Sequence, residues 1–313
     1  MSRQAYEQFC QQVPDVPLFL QPWYLDACCG ESGWVPLVVQ HNHAVLAVWP
    51  LFVKRLAWWR YATMPLHVKH MGPFLHPEVR QLKHTYKYYN ALLDQLPPLA
   101  FFIQDLPPTV TNHLPFYWRG FRQTTRYTYV LRNLDSPLSV WARANRNVRR
   151  NIRKAEKCLQ VSHEADLSLF YHINQLSFQR QSKRIYYPYD SLVRLDAVLA
   201  ARAQRRLFFA RDAVGRVHAA SYLIFDAQRA WYHLAGEDPQ LRSSGAGILL
   251  TWHAICFAIE QGIQVFDFEG SMLPQVVPLR MAFGAVQEPY FRIWRYHSMP
   301  FQLLHRLRGF SPW

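Results

Sequence analysis

The sequence has few features that would place it across a membrane or in an oxidising compartment. Its five cysteines show no paired metal-ligand spacing, and a bridge between the adjacent Cys28 and Cys29 would be strained. No apolar run is long enough to span a bilayer, and the N-terminus lacks a secretory pattern. We therefore expect a cytoplasmic protein without a disulfide framework, a metal site or a transmembrane segment.

Acidic residues are also scarce relative to basic ones. Aspartate and glutamate number 21 against 35 lysines and arginines, which gives a formal net charge of +14 and a pI near 9.7. This imbalance, together with 15% aromatic residues, indicates an anionic partner. Composition leaves open whether that partner is a nucleic acid, an anionic lipid or a phosphorylated substrate.

The chain is long enough for two domains of ordinary size. Predicted hairpins at 34–55 and 206–225 occupy corresponding places and suggest two related halves. Helices and strands alternate in the second half, which is typical of an α/β (α+β) domain around a central mixed sheet. We predict domains over 1–126 and 127–297. A tail over 298–313 is expected to pack back onto the first domain or to lie at a membrane surface.

A basic amphipathic helix is predicted from Pro137 to Leu159, with Ser136 as its N-cap. At about 100° per residue, its seven cations fall within an arc of about 140°, opposite an apolar face. Only Glu156 offsets these mutually repelling charges, so we predict a phosphate-contacting face rather than an ordinary solvated one. The cations are Arg143, Arg146, Arg149, Arg150, Arg153, Lys154 and Lys157.

A glycine-containing turn precedes a predicted helix that ends at Gln261. Glycines at a helix start let backbone N–H groups and the positive end of the helix dipole approach an anion such as a diphosphate. The alternative is a turn whose glycines serve only tight geometry and close packing. The turn consists of Arg242, Ser243, Ser244, Gly245, Ala246 and Gly247.

Two carboxylates mark the end of the strand that follows this helix. Asp267 and Glu269 are two residues apart and should share one strand face, where they need a polar cleft or a cationic partner. We choose Glu269 as the base of an acyl transfer to an amine. Asp267 is expected to orient His233 or Arg280, or to cap the following loop. On the preceding strand, Tyr232 and His233 point to opposite faces, so only one lines the cleft.

These motifs resemble those of the GNAT acyltransferase superfamily. More narrowly, they resemble its Fem-type branch, in which two tandem GNAT-like domains each have a central mixed β-sheet flanked by helices. That branch includes peptidoglycan-bridge aminoacyltransferases and acetyltransferase-like proteins associated with cellulose synthesis. The resemblance rests on the basic segment 145–154, the turn 242–247, the Phe-Asp-Phe-Glu-Gly segment 266–270, and Arg280 shortly before Phe283-Gly284.

The resemblance implies roles for individual residues. Arg242, Gly245 and Gly247 match a pattern whose backbone amides cradle the diphosphate of coenzyme A. Arg280 stands where the bridge-forming enzymes have a lysine, and because arginine does not readily accept a proton, only electrostatic stabilisation carries over. The remaining predicted substrate contacts are Arg146, Arg149, Arg150, Arg153, Lys154, Tyr232 and Ser271.

Three functions stay open at this point. The first, which the intact glycine turn favours, is transfer from acetyl-CoA or another acyl-CoA to an amine in cell-envelope or polysaccharide biosynthesis. The second is aminoacyl transfer from aminoacyl-tRNA to a peptidoglycan precursor. The third is a catalytically silent module that binds an anionic glycan or a membrane surface. Expected partners are an anionic or lipid-linked substrate, tRNA, and the inner membrane surface through peripheral contact.

Overall fold

The computed structural model of the chain describes residues 3–270, 272–274 and 276–312. Its helices are α1 (Arg3–Gln12), α2 (Pro22–Cys29), α3 (Leu82–Leu93), α4 (Leu114–Trp118), α5 (Pro137–Arg143), α6 (Arg146–Glu156), α7 (Leu167–Arg180), α8 (Tyr189–Ala200), α9 (Ala246–Glu260), α10 (Val277–Ala282) and α11 (Met299–Leu307). Its strands are β1 (Trp34–His41), β2 (Ala44–Leu56), β3 (Trp59–Thr63), β4 (Phe74–Leu75), β5 (Phe101–Asp105), β6 (Arg122–Arg132), β7 (Gln160–Ser162), β8 (Arg205–Arg211), β9 (Val217–Phe225), β10 (Arg229–Glu237), β11 (Val265–Asp267) and β12 (Val286–Tyr296).

These elements form two compact units. The first comprises the residues up to Arg126 together with those from Pro289 onward, and the second is Tyr127–Glu288. Residues 289–297 therefore lie in the first unit, although the sequence placed them in the second domain. The reason is that β12 pairs antiparallel with β5. The predicted mixed α/β fold class is confirmed, since each unit contains parallel and antiparallel strands with helices beside them.

The first unit is built on the strand order β1-β2-β3-β5-β12, in which β3 and β5 run parallel. Its core is aromatic: Trp49 and Phe102 are fully buried and their ring centroids lie 5.6 Å apart. The indole N–H of Trp49 donates to the buried Gln104 side chain at 2.7 Å. The tail helix α11 packs onto this unit through Phe301, which is buried against Phe101.

The second unit has the strand order β6-β11-β10-β9-β8-β7, in which β10 and β11 run parallel. Alternate residues of β9 show that both faces of this sheet are covered. Leu223 belongs to the apolar cluster that includes α9. Its neighbour Tyr222 instead packs on Phe170 of α7 and donates to Asp196 of α8 at 2.7 Å. This sheet and α9 position the candidate site described below.

The single helix predicted from Pro137 to Leu159 is wrong, because the chain breaks between α5 and α6. Ala144 is extended, and the Asn145 side chain accepts a hydrogen bond from the Val148 N–H at 2.9 Å. An asparagine side chain that caps a new helix competes with continuation of the old one. Arg143 consequently leaves the basic face and donates to the backbone carbonyl of Arg132.

None of the helices in the described ranges combines the length and the apolar character needed to cross a bilayer.

Candidate active site

The two predicted carboxylates diverge at the end of β11. The strand stops at Asp267, which is fully buried. Glu269 then adopts a left-handed backbone conformation with φ of 54°. Non-glycine residues are seldom found there, and such positions are concentrated at functional sites. The side chains of Asp267 and Glu269 therefore do not share a strand face as the sequence predicted.

Asp267 anchors the loop that carries Glu269. Its carboxylate accepts hydrogen bonds from the Thr128 hydroxyl and from Nη1 of Arg229, the latter at 3.1 Å. It also accepts the backbone N–H of Glu269 at 2.9 Å. Burial raises the pKa of Asp267, and the charge of Arg229 opposes that shift. Of the roles expected for Asp267, these contacts correspond to capping the following loop.

Glu269 reaches His233 on the neighbouring strand β10. Nδ1 of His233 lies 2.7 Å from a carboxylate oxygen of Glu269, and both side chains are largely buried. The pairing of β10 with β9 shifts register between Tyr232 and Leu234, so His233 occupies a β-bulge. A bulge of this kind redirects a side chain out of the regular alternation. A histidine oriented by a carboxylate is a common proton acceptor in enzymes.

Tyr232 lies apart from this pair. The ring centroids of Tyr232 and Phe266 lie 6.1 Å apart, and the Tyr232 ring packs against the apolar cluster that includes α9. Burial raises the pKa of Tyr232. Of the two adjacent β10 residues, His233 therefore faces Glu269, and Tyr232 packs beneath α9. Ser271, the other predicted substrate contact near this loop, lies outside the described residues.

Arg280 of α10 brings a cation to the same place. Its guanidinium lies 5.9 Å from the centre of the Tyr129 ring. Burial lowers the pKa of Arg280, while the charges of Glu269 and Asp267 oppose that shift. Within the part of the chain that the structure describes, its buried Nη1 has no hydrogen-bond partner. A buried donor without a partner is costly, so this nitrogen is suited to bind an external anion or oxyanion.

Tyr186 is near enough to Glu269 to interact with its charge, and the sequence did not assign it to the site. Tyr186 is 59% exposed, yet burial and the charge of Glu269 raise the pKa of its hydroxyl to about 12. The hydroxyl therefore stays protonated at neutral pH and lies within the field of Glu269. The aromatic run 185–189 is the feature of the sequence that could have drawn attention to Tyr186.

The glycine turn is already occupied by a carboxylate of the protein itself, that of Glu237. Gly245 is left-handed at φ 78°, and α9 begins at the buried Ala246. The N–H of Gly247 donates to Oε1 of Glu237 at 3.1 Å, and Nε of Arg242 lies 2.9 Å from Oε2 of the same carboxylate. A Cβ on Gly247 would lie 2.3 Å from Oε1. The glycine at 247 is therefore what lets Glu237 approach the helix start.

This arrangement tests whether the turn fits the diphosphate of coenzyme A. Glu237 places a full negative charge where the diphosphate would bind, and it neutralises Arg242. A helix N-terminus carries only about half a positive charge, so the carboxylate more than cancels it. Ser243 and Ser244 add no cation. As they stand, these residues do not fit a diphosphate.

The basic face of α6 differs from the turn in having its charges uncompensated. Among the described residues, none of its cations forms an ion pair with a carboxylate. Its opposite side, with Ile152, is buried in the cluster that includes α9. The backbone N–H of Asn145 donates to the Ala282 carbonyl of α10 at 2.8 Å, and Gly245 approaches Asn151. The cations are Arg146, Arg149, Arg150, Arg153, Lys154 and Lys157, of which Arg149 is half-buried.

The second unit also contains a cavity that involves none of the predicted site residues. This cavity of about 410 Å³ is lined by residues of α7, the β8–β9 turn and the segment 238–241. No group of three or more histidines, cysteines and carboxylates in the described ranges is arranged to hold a metal ion.

Comparisons with known proteins show which domain family the second unit resembles and which solved structures share the fold. Residues 142–275, which lie inside the second unit, match the acetyltransferase (GNAT) domain family. FemX matches with a TM-score of 0.73 at 11% identity, and 98% of each chain is covered. L-PGS from Bacillus licheniformis matches with a TM-score of 0.58 at 11% identity, over 100% of this chain and 98% of that one. A conserved protein of unknown function from Bacteroides thetaiotaomicron gives 0.57 at 10% identity, over 94% and 96%.

Residues 142–275 are therefore similar to a GNAT acetyltransferase domain, and the chain has the Fem-type GNAT fold that the sequence motifs predicted. Among curated proteins, none matches the sequence.

Proposed function

We propose that the second unit transfers an acyl group from an activated ester to an amine. In this proposal the pair of Glu269 and His233 accepts the proton of the amine, and Arg280 stabilises the oxyanion. The observation that carries it is the 2.7 Å contact between Glu269 and His233 within the field of Arg280, whose buried Nη1 has no hydrogen-bond partner among the described residues. The GNAT acetyltransferase domain that spans these residues except Arg280 supports the reaction class.

The proposed chemistry is an addition followed by an elimination. The acceptor nitrogen attacks the carbonyl carbon of the donor, a C–N bond forms, and the carbonyl oxygen becomes an oxyanion that Nη1 of Arg280 can bind. Glu269, supported by His233, takes the proton released from nitrogen. When the oxyanion collapses, the bond to the leaving group breaks and the leaving oxygen takes up a proton. Arg280 stays charged throughout, because a guanidinium does not lose its proton under these conditions.

For the donor we propose an ester attached to a polyanion of the tRNA type, the second of the two donors considered from sequence. Two observations favour it over acyl-CoA. The N–H of Gly247 already donates a hydrogen bond to Glu237. The cations of α6 form no ion pair with a carboxylate among the described residues. Phosphates of a polyanion would relieve the repulsion among those cations. The proposed acceptor is an amine on an anionic cell-envelope precursor, as the Fem-type resemblance implies.

A ligand panel separates the candidate donors. A ligand that binds the folded state raises its melting temperature, so the protein would be heated with acetyl-CoA, aminoacyl-tRNA or a UDP-linked peptide precursor. We expect aminoacyl-tRNA and the precursor to raise the melting temperature and acetyl-CoA to leave it unchanged. A response to acetyl-CoA alone would instead identify an acyl-CoA transferase, and binding without transfer of any donor would identify a silent binding module.

Glu269→Gln then tests the catalytic assignment with the responding donor. The amide keeps a side chain of the same size opposite His233 but cannot accept a proton, so turnover should fall by about 10²- to 10⁴-fold. Donor affinity should stay the same. The matched control is Glu260→Gln, at the exposed end of α9, which should retain full turnover. Equal turnover of Glu269→Gln and the wild type would remove Glu269 from the mechanism.

A further inference from the structure

The outer face of α11 in the first unit is apolar and exposed. Met299, Leu303 and Leu307 are 83%, 58% and 78% exposed. Their spacing of four residues places them on one helix face. Three large apolar side chains in a row on an exposed face are unusual for a surface helix, whose outer residues are normally polar.

The inner face of α11 is firmly held, so the exposed stripe is not a product of a loose end. Phe301 is fully buried and lies 5.4 Å from the ring of Trp59. The ring of His305 is 4.5 Å from that of Phe301, and its Nδ1 lies 3.0 Å from the Tyr296 hydroxyl. Because these contacts fix the helix orientation, they also fix the presentation of the apolar face.

Trp58 extends the apolar surface beyond α11. It is 81% exposed and lies in the turn between β2 and β3. Its ring is 4.9 Å from that of Trp59, which contacts Phe301 of α11. The docking surface, as we define it, consists of Trp58, Met299, Leu303 and Leu307.

The charged residues of the two segments that build the docking surface are all basic. Lys54, Arg55, Arg306 and Arg308 are exposed, and within the described part of the chain none of them pairs with a carboxylate. The sequence contains no aspartate or glutamate between Glu31 and Glu78, and none after Glu288. Both segments that build this surface therefore present cations without any acidic residue.

We propose that the docking surface binds the surface of an anionic lipid bilayer. Tryptophan and long aliphatic side chains insert at the depth of the headgroups, and flanking lysines and arginines are attracted to anionic lipids. A nucleic acid would satisfy the cations but would gain little from exposed methionine and leucine. The docking surface belongs to the first unit and the proposed transfer site to the second, and this proposal does not depend on the proposed function.

Vesicle flotation of the full-length protein tests this directly. Phosphatidylcholine vesicles with phosphatidylglycerol should carry the wild type, and pure phosphatidylcholine vesicles should not. Leu307→Ser should lower the partition coefficient by about tenfold, because a leucine side chain no longer leaves water. Arg306→Gln and Arg308→Gln should each lower it by about fivefold, less so at high salt. Leu138→Ser is the matched control, since Leu138 of α5 is 79% exposed and lies in the second unit.

Several results would overturn the proposal. The first is failure of the wild type to float with anionic vesicles at low salt. The second is an equal loss of binding in Leu307→Ser and Leu138→Ser, since the effect would then be general. The third is a dimer of the wild type that Leu307→Ser dissociates, with no vesicle binding, because the surface would then bind a second copy. Unchanged melting temperatures show that the variants remain folded, and Met299→Ser provides a second variant should Leu307→Ser misfold.

Discussion

Two surfaces of the second unit share one prediction from the sequence, phosphate binding, but differ in whether a carboxylate already compensates their positive charge. The turn at the start of α9 and the outer face of α6 were both predicted to meet phosphates. At the turn, Glu237 accepts a hydrogen bond from the N–H of Gly247 and forms an ion pair with Arg242. On α6, the cations have no carboxylate partner among the described residues. An anion site therefore depends on whether its charge is already compensated, as well as on the motif that supplies it.

The magnitudes decide which surface attracts a phosphate. A helix start offers about half a positive charge, and one carboxylate at contact distance reverses the sign of the local field. The α6 face carries six cations from Arg146 to Lys157, against a single Glu156. A polyanionic ligand should therefore approach α6 first and the turn weakly.

Of the effects that bear on these two surfaces, the largest is expected from removing charge on α6. The combined variant Arg150→Gln, Arg153→Gln and Lys154→Gln should weaken tRNA association by about 10- to 100-fold at low salt. The slope of log affinity against log salt should fall by about three, because three phosphate contacts are lost. Fluorescence anisotropy of labelled tRNA over a salt series measures both quantities.

A matched triple variant makes this result specific. Arg180, Lys183 and Arg184 are exposed cations of the same unit, on and just after α7, and their replacement by glutamine removes the same net charge. That variant should lose only a few-fold in affinity. If both triple variants lose affinity equally, net charge alone governs association, and the distinction between α6 and the rest of the surface fails.

An intermediate effect is expected from opening the glycine turn. Glu237→Ala frees the N–H of Gly247 and the guanidinium of Arg242, so affinity for pyrophosphate or coenzyme A should rise by about tenfold. Titration calorimetry measures the gain. Glu260→Ala removes a carboxylate from the other end of α9 and should leave this affinity unchanged. Tight binding of coenzyme A by the wild type, with no gain in Glu237→Ala, would show that Glu237 does not block the turn.

The fold was largely accessible from the sequence because its signals are local. Hairpins, strand lengths and the glycine stop after α9 follow from patterns within a few residues. The break before Asn145 was missed because the apolar periodicity continues across it, from Val140 to Val148. There a cap hydrogen bond outweighed the periodicity of the side chains.

The candidate site was accessible only in part, because its partners are distant in sequence. Asp267, Glu269 and Arg280 stand in recognisable motifs, and the structure brings them to one place. Thr128 lies 139 positions from Asp267, its hydrogen-bond partner, and no local pattern indicates such a pairing. Glu237 is only ten residues from Gly247, but no short motif indicates this contact, because it depends on strand β10 and helix α9 meeting at that point.

The smallest effect is expected from replacing Arg242, the ion-pair partner of Glu237. The pair of Arg242 and Glu237 is partly exposed, with side-chain exposures of 46% and 29%. An ion pair of this kind contributes about 0.5 kcal/mol and is screened by salt, so Arg242→Gln should lower the free energy of unfolding by about that amount at low salt only. Urea denaturation at two salt concentrations measures the change.

Arg242→Gln also provides the finest test of the comparison between the two surfaces. Glu237 keeps its hydrogen bond to Gly247 in this variant, so the turn stays capped and becomes more negative. Because Arg242 is already neutralised in the wild type, tRNA affinity should change by less than about twofold. A loss as large as that of the α6 triple variant would mean that the turn holds phosphates after all, with Glu237 displaced when the ligand binds.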